Sequence, residues 1–238
     1  MVSSSQRSPG AAPITGVCSM ATRHLLADLA RDYEGQTGQA VTMASFGGVD
    51  ALRRVQSREP FDFVALAADA IERLASEGHV VAGSRVDVAR SGVAVAVKAG
   101  APRPDLASGD TLRQAVLAAR KVGYSTGPSG VYLAKLFARW GIAETIAPRL
   151  VQAPPGVPVG TLIAQDEVEL GFQQLSELVG LPGIDIVGAL PPDVQLITVF
   201  AAATCSASRR ADDVAGFFAF LRRPQADAAR RRHGLEPP

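Results

Sequence analysis

Apolar positions along this chain recur with two alternating periods. Short apolar runs at Pro13–Cys18, Ala40–Ser45 and Phe61–Ala67 read as strands, each bounded by turn residues. Between them, Met20–Glu34 carries Leu25, Leu26, Leu29 and Tyr33 at helical spacing, and Gly35 is expected to stop it. Gly47-Gly48 breaks the second strand ahead of a short helix, Asp50–Ser57. A further helix, Asp69–Glu77, ends at Gly78. The resulting order β-α-β-α-β-α predicts a mostly parallel sheet flanked by helices.

Val86–Lys98 then supplies a long strand, alternating at first and apolar later. Helices are expected at Thr111–Ala119, Gly130–Trp140 and Val159–Gln165, with strands at Lys121–Ser125, Leu150–Ala153 and Leu170–Gln173. A helical turn at Ser176–Val179 leads to strands Ile184–Val187 and Val194–Thr204. The chain closes with helices Asp212–Leu221 and Gln225–His233. Val214, Phe217, Phe218 and Leu221 give the first of these an apolar face that should dock on a sheet. The two long strands look able to cross between two lobes, so that the last stretch returns to the first. The expected division is 13–88 plus 199–238 for lobe 1 and 89–198 for lobe 2, with 1–12 a disordered lead-in.

Composition narrows the class. The chain has 238 residues, 47% of them hydrophobic and 20% charged, which suits a globular protein with a sizeable core. A net charge of +1 provides no global field for nucleic acid or acidic membranes, so anion binding must be local. No apolar run approaches the roughly 20 residues of a membrane span. Met1–Pro13 lacks an apolar stretch, so no signal peptide is expected; the chain is then cytoplasmic, or a signal was cut away. Cys18 and Cys205 form no disulfide framework and are expected to be buried free thiols. His24, His79 and His233 are scattered without metal-ligand spacing, and no metal or cofactor is expected.

Four strand-to-helix corners carry the candidate chemistry. They are Ser19-Met20, then Phe46-Gly47-Gly48, then Ser125-Thr126-Gly127 with Ser129 and Gly130, then the stretch around Val157. Tyr124–Val131 is the clearest: a strand runs into a Ser/Thr/Gly turn and a helix opens beyond it. Helix starts have unpaired backbone N–H groups and the positive end of the dipole, which favours anions. Taken singly, each corner is accounted for by turn and capping chemistry. Taken together, they predict a shared ligand cleft at the carboxyl ends of strands.

No catalytic constellation stands out. His24 lies more than a helical turn beyond Ser19, and Gly127–Gly130 lacks the Lys-Ser/Thr of a phosphate-binding P-loop. Glu177 is the best-placed acid near a strand end, although an exposed carboxylate at a helix start is its ordinary reading. Arg53 and Arg54 either reach an organic carboxylate or cover a solvated helix face.

From about Ile14 to Pro237 the chain resembles the molybdate-binding family of class II periplasmic solute-binding proteins. The carriers are C-S-M at Cys18, Y-E-G-Q-T-G-Q-A-V from Tyr33, S-F-G-G-V-D-A-L-R-R from Ser45 and F-D-F-V-A-L-A-A-D-A-I-E-R-L from Phe61. G-P-S-G-V-Y-L-A-K-L-F from Gly127 and F-L-R-R-P-Q-A-D-A-A-R-R-R-H-G-L from Phe220 complete the set. The resemblance implies a two-lobed type II α/β fold with an interlobe cleft that holds a small anion through serine hydroxyls and backbone N–H groups. It also implies an ABC permease as partner if the chain is exported. By matching motifs, Ser19 takes the first serine position and Gly47-Gly48 the second, serine-bearing loop. Ser129 falls where the family has an Ala-Gly helix start, and the Val157 region supplies the fourth corner.

Departures from the family shift the expected ligand. Where the family has a strand ending in Val-Tyr-Arg-Ser, this chain has Phe172-Gln173-Gln174-Leu175-Ser176. Fewer hydroxyls and more amides suit molybdate less than a carboxylate. The Gln173–Leu178 block and the Gly-Leu-Glu-Pro ending resemble the branch that contains aconitate isomerase. Three functions follow as alternatives: capture of a small oxyanion or organic carboxylate, isomerisation of a polycarboxylate such as aconitate, or cytoplasmic ligand sensing.

Overall fold

The computed structural model describes residues 12–238. The expectation for residues 1–12 falls, apart from Ala12, outside the described residues. In chain order, β1 (Ile14–Ser19) passes through a 3-10 turn, Met20–Thr22, into α1 (Arg23–Thr37). Then follow β2 (Val41–Phe46), α2 (Gly48–Gln56), β3 (Phe63–Ala67), α3 (Ala68–Ser76) and the long β4 (Val86–Lys98). The next stretch holds α4 (Gly109–Ala118), β5 (Val122–Tyr124), α5 (Pro128–Arg139), α6 (Ala143–Ile146) and β6 (Leu150–Gln152). Last come α7 (Val159–Ala164), β7 (Leu170–Gln174), α8 (Leu175–Leu178), β8 (Ile184–Ala189), β9 (Ile197–Thr204), α9 (Ala211–Leu221) and α10 (Ala226–Arg232).

The strands form one mixed sheet in the order β2-β1-β3-β9-β4-β7-β5-β6, with β8 also paired to β4. Pairing is parallel within β2-β1-β3 and within β6-β5-β7, and antiparallel where β4, β8 and β9 join. The β4 strand links the two groups by changing partners: Val86–Gly92 pairs with β9, and Val93–Lys98 pairs with β7 and β8. Gln195 holds the changeover, accepting from Val93 N–H at 3.0 Å and donating to Val93 O at 3.1 Å.

Helices cover both faces of each group, which explains why β3 is apolar at every position and buried throughout. On one face Leu25, Leu26 and Leu29 of α1 meet Phe217, Phe218 and Leu221 of α9, so the expected apolar face of that helix docks as read. On the other, Ala51, Val55, Ile71 and Leu74 of α2 and α3 pack against Val17, Val64 and Leu66. Phe63 lies against Gly16, where a Cβ would overlap its ring, so β1 and β3 can keep this contact only with glycine.

Most boundaries lie one to three residues from the sequence reading, which does not anticipate α6, and two of the shifts have a clear physical cause. The first helix runs through Gly35 to Thr37 and stops at Gly38, which is left-handed at φ 76° and returns its N–H to Glu34 O. Gly35 needs no such conformation, and tertiary packing of the apolar face carries the helix past it. The last long strand begins at Ile197 rather than Val194. Val194 ends a 3-10 turn closed on Pro191 O, and the Gln195 side chain occupies the strand position beside Val93.

Candidate functional site

A cavity of about 600 Å³ lies between the two strand groups. The corners after β1, β2 and β3 form one wall, the corners after β5, β6 and β7 form the other, and the Leu196–Phe200 segment runs along it. These are the carboxyl ends of the parallel strands, where open α/β sheets place ligands. Volumes of roughly 300–1,000 Å³ are usual for small-molecule sites. Most of the lining is apolar, with polar groups at the helix starts.

Ten of the candidate residues line this cavity: Ser19, Met20, Gly47, Gly48, Ser125, Thr126, Gly127, Val157, Gln173 and Gln174. Phe46, Ser129 and Gly130 do not, and each has a packing reason. Phe46 turns toward α2, where the Arg54 guanidinium lies 3.9 Å from its ring centroid. Ser129 is fully buried, its hydroxyl 3.2 Å from that of Ser125. Gly130 presses on the Ser125 carbonyl so closely that a Cβ would overlap it. These residues support the wall from behind.

Hydrogen bonding separates the corners that remain open from those already satisfied. The Val159 N–H at the start of α7 donates to Gln173 Oε1 at 2.7 Å, so the fourth corner is capped from within the protein. Ser125 Oγ accepts from Gly127 N–H at 3.3 Å, and Ser19 Oγ stands 3.4 Å from Thr22 Oγ1. The Gln174 amide, assigned in the orientation that satisfies both ends, donates to Ser91 O at 3.0 Å and accepts from Thr198 Oγ1 at 2.7 Å. It therefore ties β7 to both crossing strands. At the starts of α2, α3 and α5, the N-cap residues Gly47, Ala67 and Gly127 offer no side-chain acceptor. Away from the cavity, α4 shows the contrast: Ser108 and Thr111 form a full capping box. The starts of α2 and α3 leave N–H donors beside the cavity for a ligand, whereas α5 opens on Pro128, which has no N–H, and the Gly127 N–H is taken by Ser125 Oγ.

Sequence reasoning missed the Ala67-Ala68-Asp69 corner, Tyr132, Lys135 and Thr198, all of which line the cavity. Ala67-Ala68 contributes backbone alone and has no Ser or Gly to mark it; its position after the third parallel strand was the available signal. Tyr132 donates its hydroxyl to Val194 O at 2.8 Å. Lys135 is exposed, on the same face of α5 as Val131 and Tyr132. Arg53 and Arg54 pair instead with Asp50 at 4.0 Å and Glu59 at 3.0 Å, and neither lines the cavity.

Glu177 is the main departure from the sequence reading. It lines the cavity as a partly buried side chain rather than standing in open solvent. Enclosure by protein pushes its carboxyl up to about 7, against smaller opposing pulls from a Gln173 hydrogen bond and the Arg23 charge. Its remaining accessible surface belongs to the cavity, so partial exposure and strong desolvation coexist. Cys18 and Cys205 are both buried free thiols. Burial raises each thiol to about 12, which rules out thiolate nucleophiles near neutral pH. His24 and His233 are distant in sequence yet stack at 6.1 Å, and His233 contacts Asp28 at 2.7 Å, away from the cavity. Among the described residues no group of three or more His, Cys, Asp or Glu could hold a metal ion. No helix among the described residues is long and apolar enough to cross a membrane.

The strand order, the partner change in β4 and a cavity between two strand groups define an α/β protein of the type II periplasmic-binding fold. The sequence profile of bacterial extracellular solute-binding proteins matches residues 14–236, and the chain belongs to that family. It is 36% identical over 216 residues to an aconitate isomerase from Pseudomonas sp., covering 88% of this chain and 82% of that protein. Among solved structures it resembles the periplasmic molybdate-binding protein of Azotobacter vinelandii, with a TM-score of 0.79 and 20% identity over 94% of this chain and 99% of the other. It also resembles a periplasmic thiamin-binding protein, with a TM-score of 0.76 and 14% identity over 96% and 85% of the two chains. One neighbour is named for an anion and the other for thiamin, so the fold does not select the ligand.

Proposed function

We propose that this protein captures a small organic di- or tricarboxylate in the cavity between its two strand groups. The observation that carries this reading is the cavity itself. Its volume of about 600 Å³ and largely apolar wall exceed what one tetrahedral oxyanion fills. The uncapped starts of α2 and α3 supply N–H donors for carboxylate groups spread over several ångströms. Lys135 adds a cation at the cavity lining. The glycines at 47 and 48, standing where the molybdate-binding family has serine, support the same choice.

The strand groups act as lobes divided as the sequence suggests, 13–88 with 199–238 and 89–198, and closure over the ligand occurs about the partner change in β4. An ABC permease is the partner of an exported form. A thermal-shift screen over molybdate, tungstate, sulfate, dicarboxylates and tricarboxylates tests the reading. Stabilisation by carboxylates but not by the inorganic anions supports it, and the reverse order refutes it.

A second reading, isomerisation of the captured ligand, is favoured by the likeness to an aconitate isomerase over most of both chains. Interconversion of trans- and cis-aconitate, followed by absorbance, is its test.

A further inference from the structure

We propose that Glu177 is the proton-transfer residue of this cavity, moving an allylic proton of an unsaturated tricarboxylate bound at the helix starts. This rests on the carboxylate and isomerisation readings above and assigns a chemical role within them.

Position argues first. Glu177 stands at the corner between β7 and α8, on the wall opposite the uncapped starts of α2 and α3. The short α8 packs on the 3-10 turn Met20–Thr22, which places this corner where the two strand groups meet. Among the described residues no Lys, Arg or His nitrogen lies within salt-bridge distance of Glu177, and the charged group that faces it is Arg23. Elsewhere on the lining stand Asp69 and Lys135.

Elimination argues second. The Tyr132 hydroxyl is committed to Val194 O, and the Cys18 thiol is buried. One Asp69 oxygen accepts from Ala70 N–H at 2.8 Å. The Gln173 oxygen is held by Val159 N–H. Asp69 is exposed, so of the two lining carboxylates Glu177 alone joins cavity access and freedom from an ion pair to enclosure by the wall. Its enclosure also keeps its proton affinity near neutrality, which suits a group that must both take and return a proton.

The step balances without a co-reactant. The Glu177 carboxylate takes a proton from the methylene carbon next to a carboxylate. The C–H electron pair moves into the adjoining double bond and carboxylate, giving a dienolate whose charge faces helix N-termini. Protonated Glu177 then returns the proton to the far carbon of the allylic unit. The product is the isomer, and the enzyme is unchanged.

The test combines calorimetry with proton NMR of trans-aconitate in D2O. Wild type should bind trans-aconitate and form the cis isomer, with deuterium entering only to the extent that protonated Glu177 exchanges with solvent. Glu177→Gln should bind within about threefold of wild type and lose isomerisation by roughly 100-fold or more. In wild type, isomerisation should rise with pH and level off above about 7, as the carboxylate forms. This profile remains a test if the variant fails to fold. Wild-type isomerisation rates in Glu177→Gln, a flat pH profile, or wild-type binding with neither isomerisation nor exchange would each overturn the proposal. Failure to bind any carboxylate would instead remove the underlying reading.

Discussion

Gln173 Oε1 accepts the Val159 N–H at 2.7 Å, so a buried side chain on β7 caps the start of α7. The bond joins the strand that carries the Gln pair to the helix behind the fourth corner, and both ends are removed from solvent. Replacing Gln173 by Leu would leave a buried N–H unpaired. A loss of about 1–3 kcal/mol in unfolding free energy is expected. Gln173→Glu, which keeps an acceptor but buries a charge, should also destabilise, and more so above neutral pH. Urea unfolding at pH 6 and pH 8 separates the two effects.

The glycines divide into those the backbone requires and those it does not. Gly130→Ala should destabilise by about 3 kcal/mol or more, because the added Cβ overlaps a backbone carbonyl that cannot rotate away. At Gly48 a Cβ meets nothing within 4 Å. Gly48→Ser should therefore change stability by about 0.5 kcal/mol or less. It also adds a hydroxyl at the cavity wall and should improve binding of tetrahedral oxyanions. Denaturant midpoints check the first pair of outcomes, and a molybdate titration checks the last.

Ser176 neighbours Glu177 and is buried, and its hydroxyl has no hydrogen-bond partner among the described residues. Ser176→Ala should be neutral or stabilising by up to about 1 kcal/mol, since it removes a desolvated polar atom with no bond to lose. A destabilisation above about 1 kcal/mol in thermal unfolding would mean that the hydroxyl is satisfied.

Glu177 also sets a pH dependence of stability. Its folded-state value of about 7 stands above the ordinary 4.5, so the native state holds the proton more tightly than the unfolded chain. The contribution is full below about 4.5 and is lost as pH rises to about 7, amounting to roughly 3 kcal/mol at most. Glu177→Gln should therefore match wild type near pH 4.5 and exceed it in Tm at pH 8. A wild-type Tm advantage at pH 8 would contradict the burial of this carboxyl.

Much of the fold was legible because its signals are local. The β4 bounds follow directly from the apolar run, and α9 docks through the residues that its spacing marks. The boundary errors arose where a long-range partner decides the outcome, as when Gln195 takes the strand position beside Val93. Site legibility followed the same line. Ser19, Gly47, Gly48 and Ser125 carry turn chemistry that can be read along the chain. Ala67, Thr198 and Lys135 face the cavity only through tertiary packing. The ordinary reading of Glu177 as an exposed carboxylate failed because nothing nearby in sequence reveals that the wall encloses it.

Titration calorimetry with trans-aconitate and molybdate, run in parallel on the same protein, tests the carboxylate cavity most directly. Saturable one-to-one binding of trans-aconitate, at least tenfold tighter than molybdate, is the predicted result. Tight molybdate binding with no heat from any di- or tricarboxylate would contradict it.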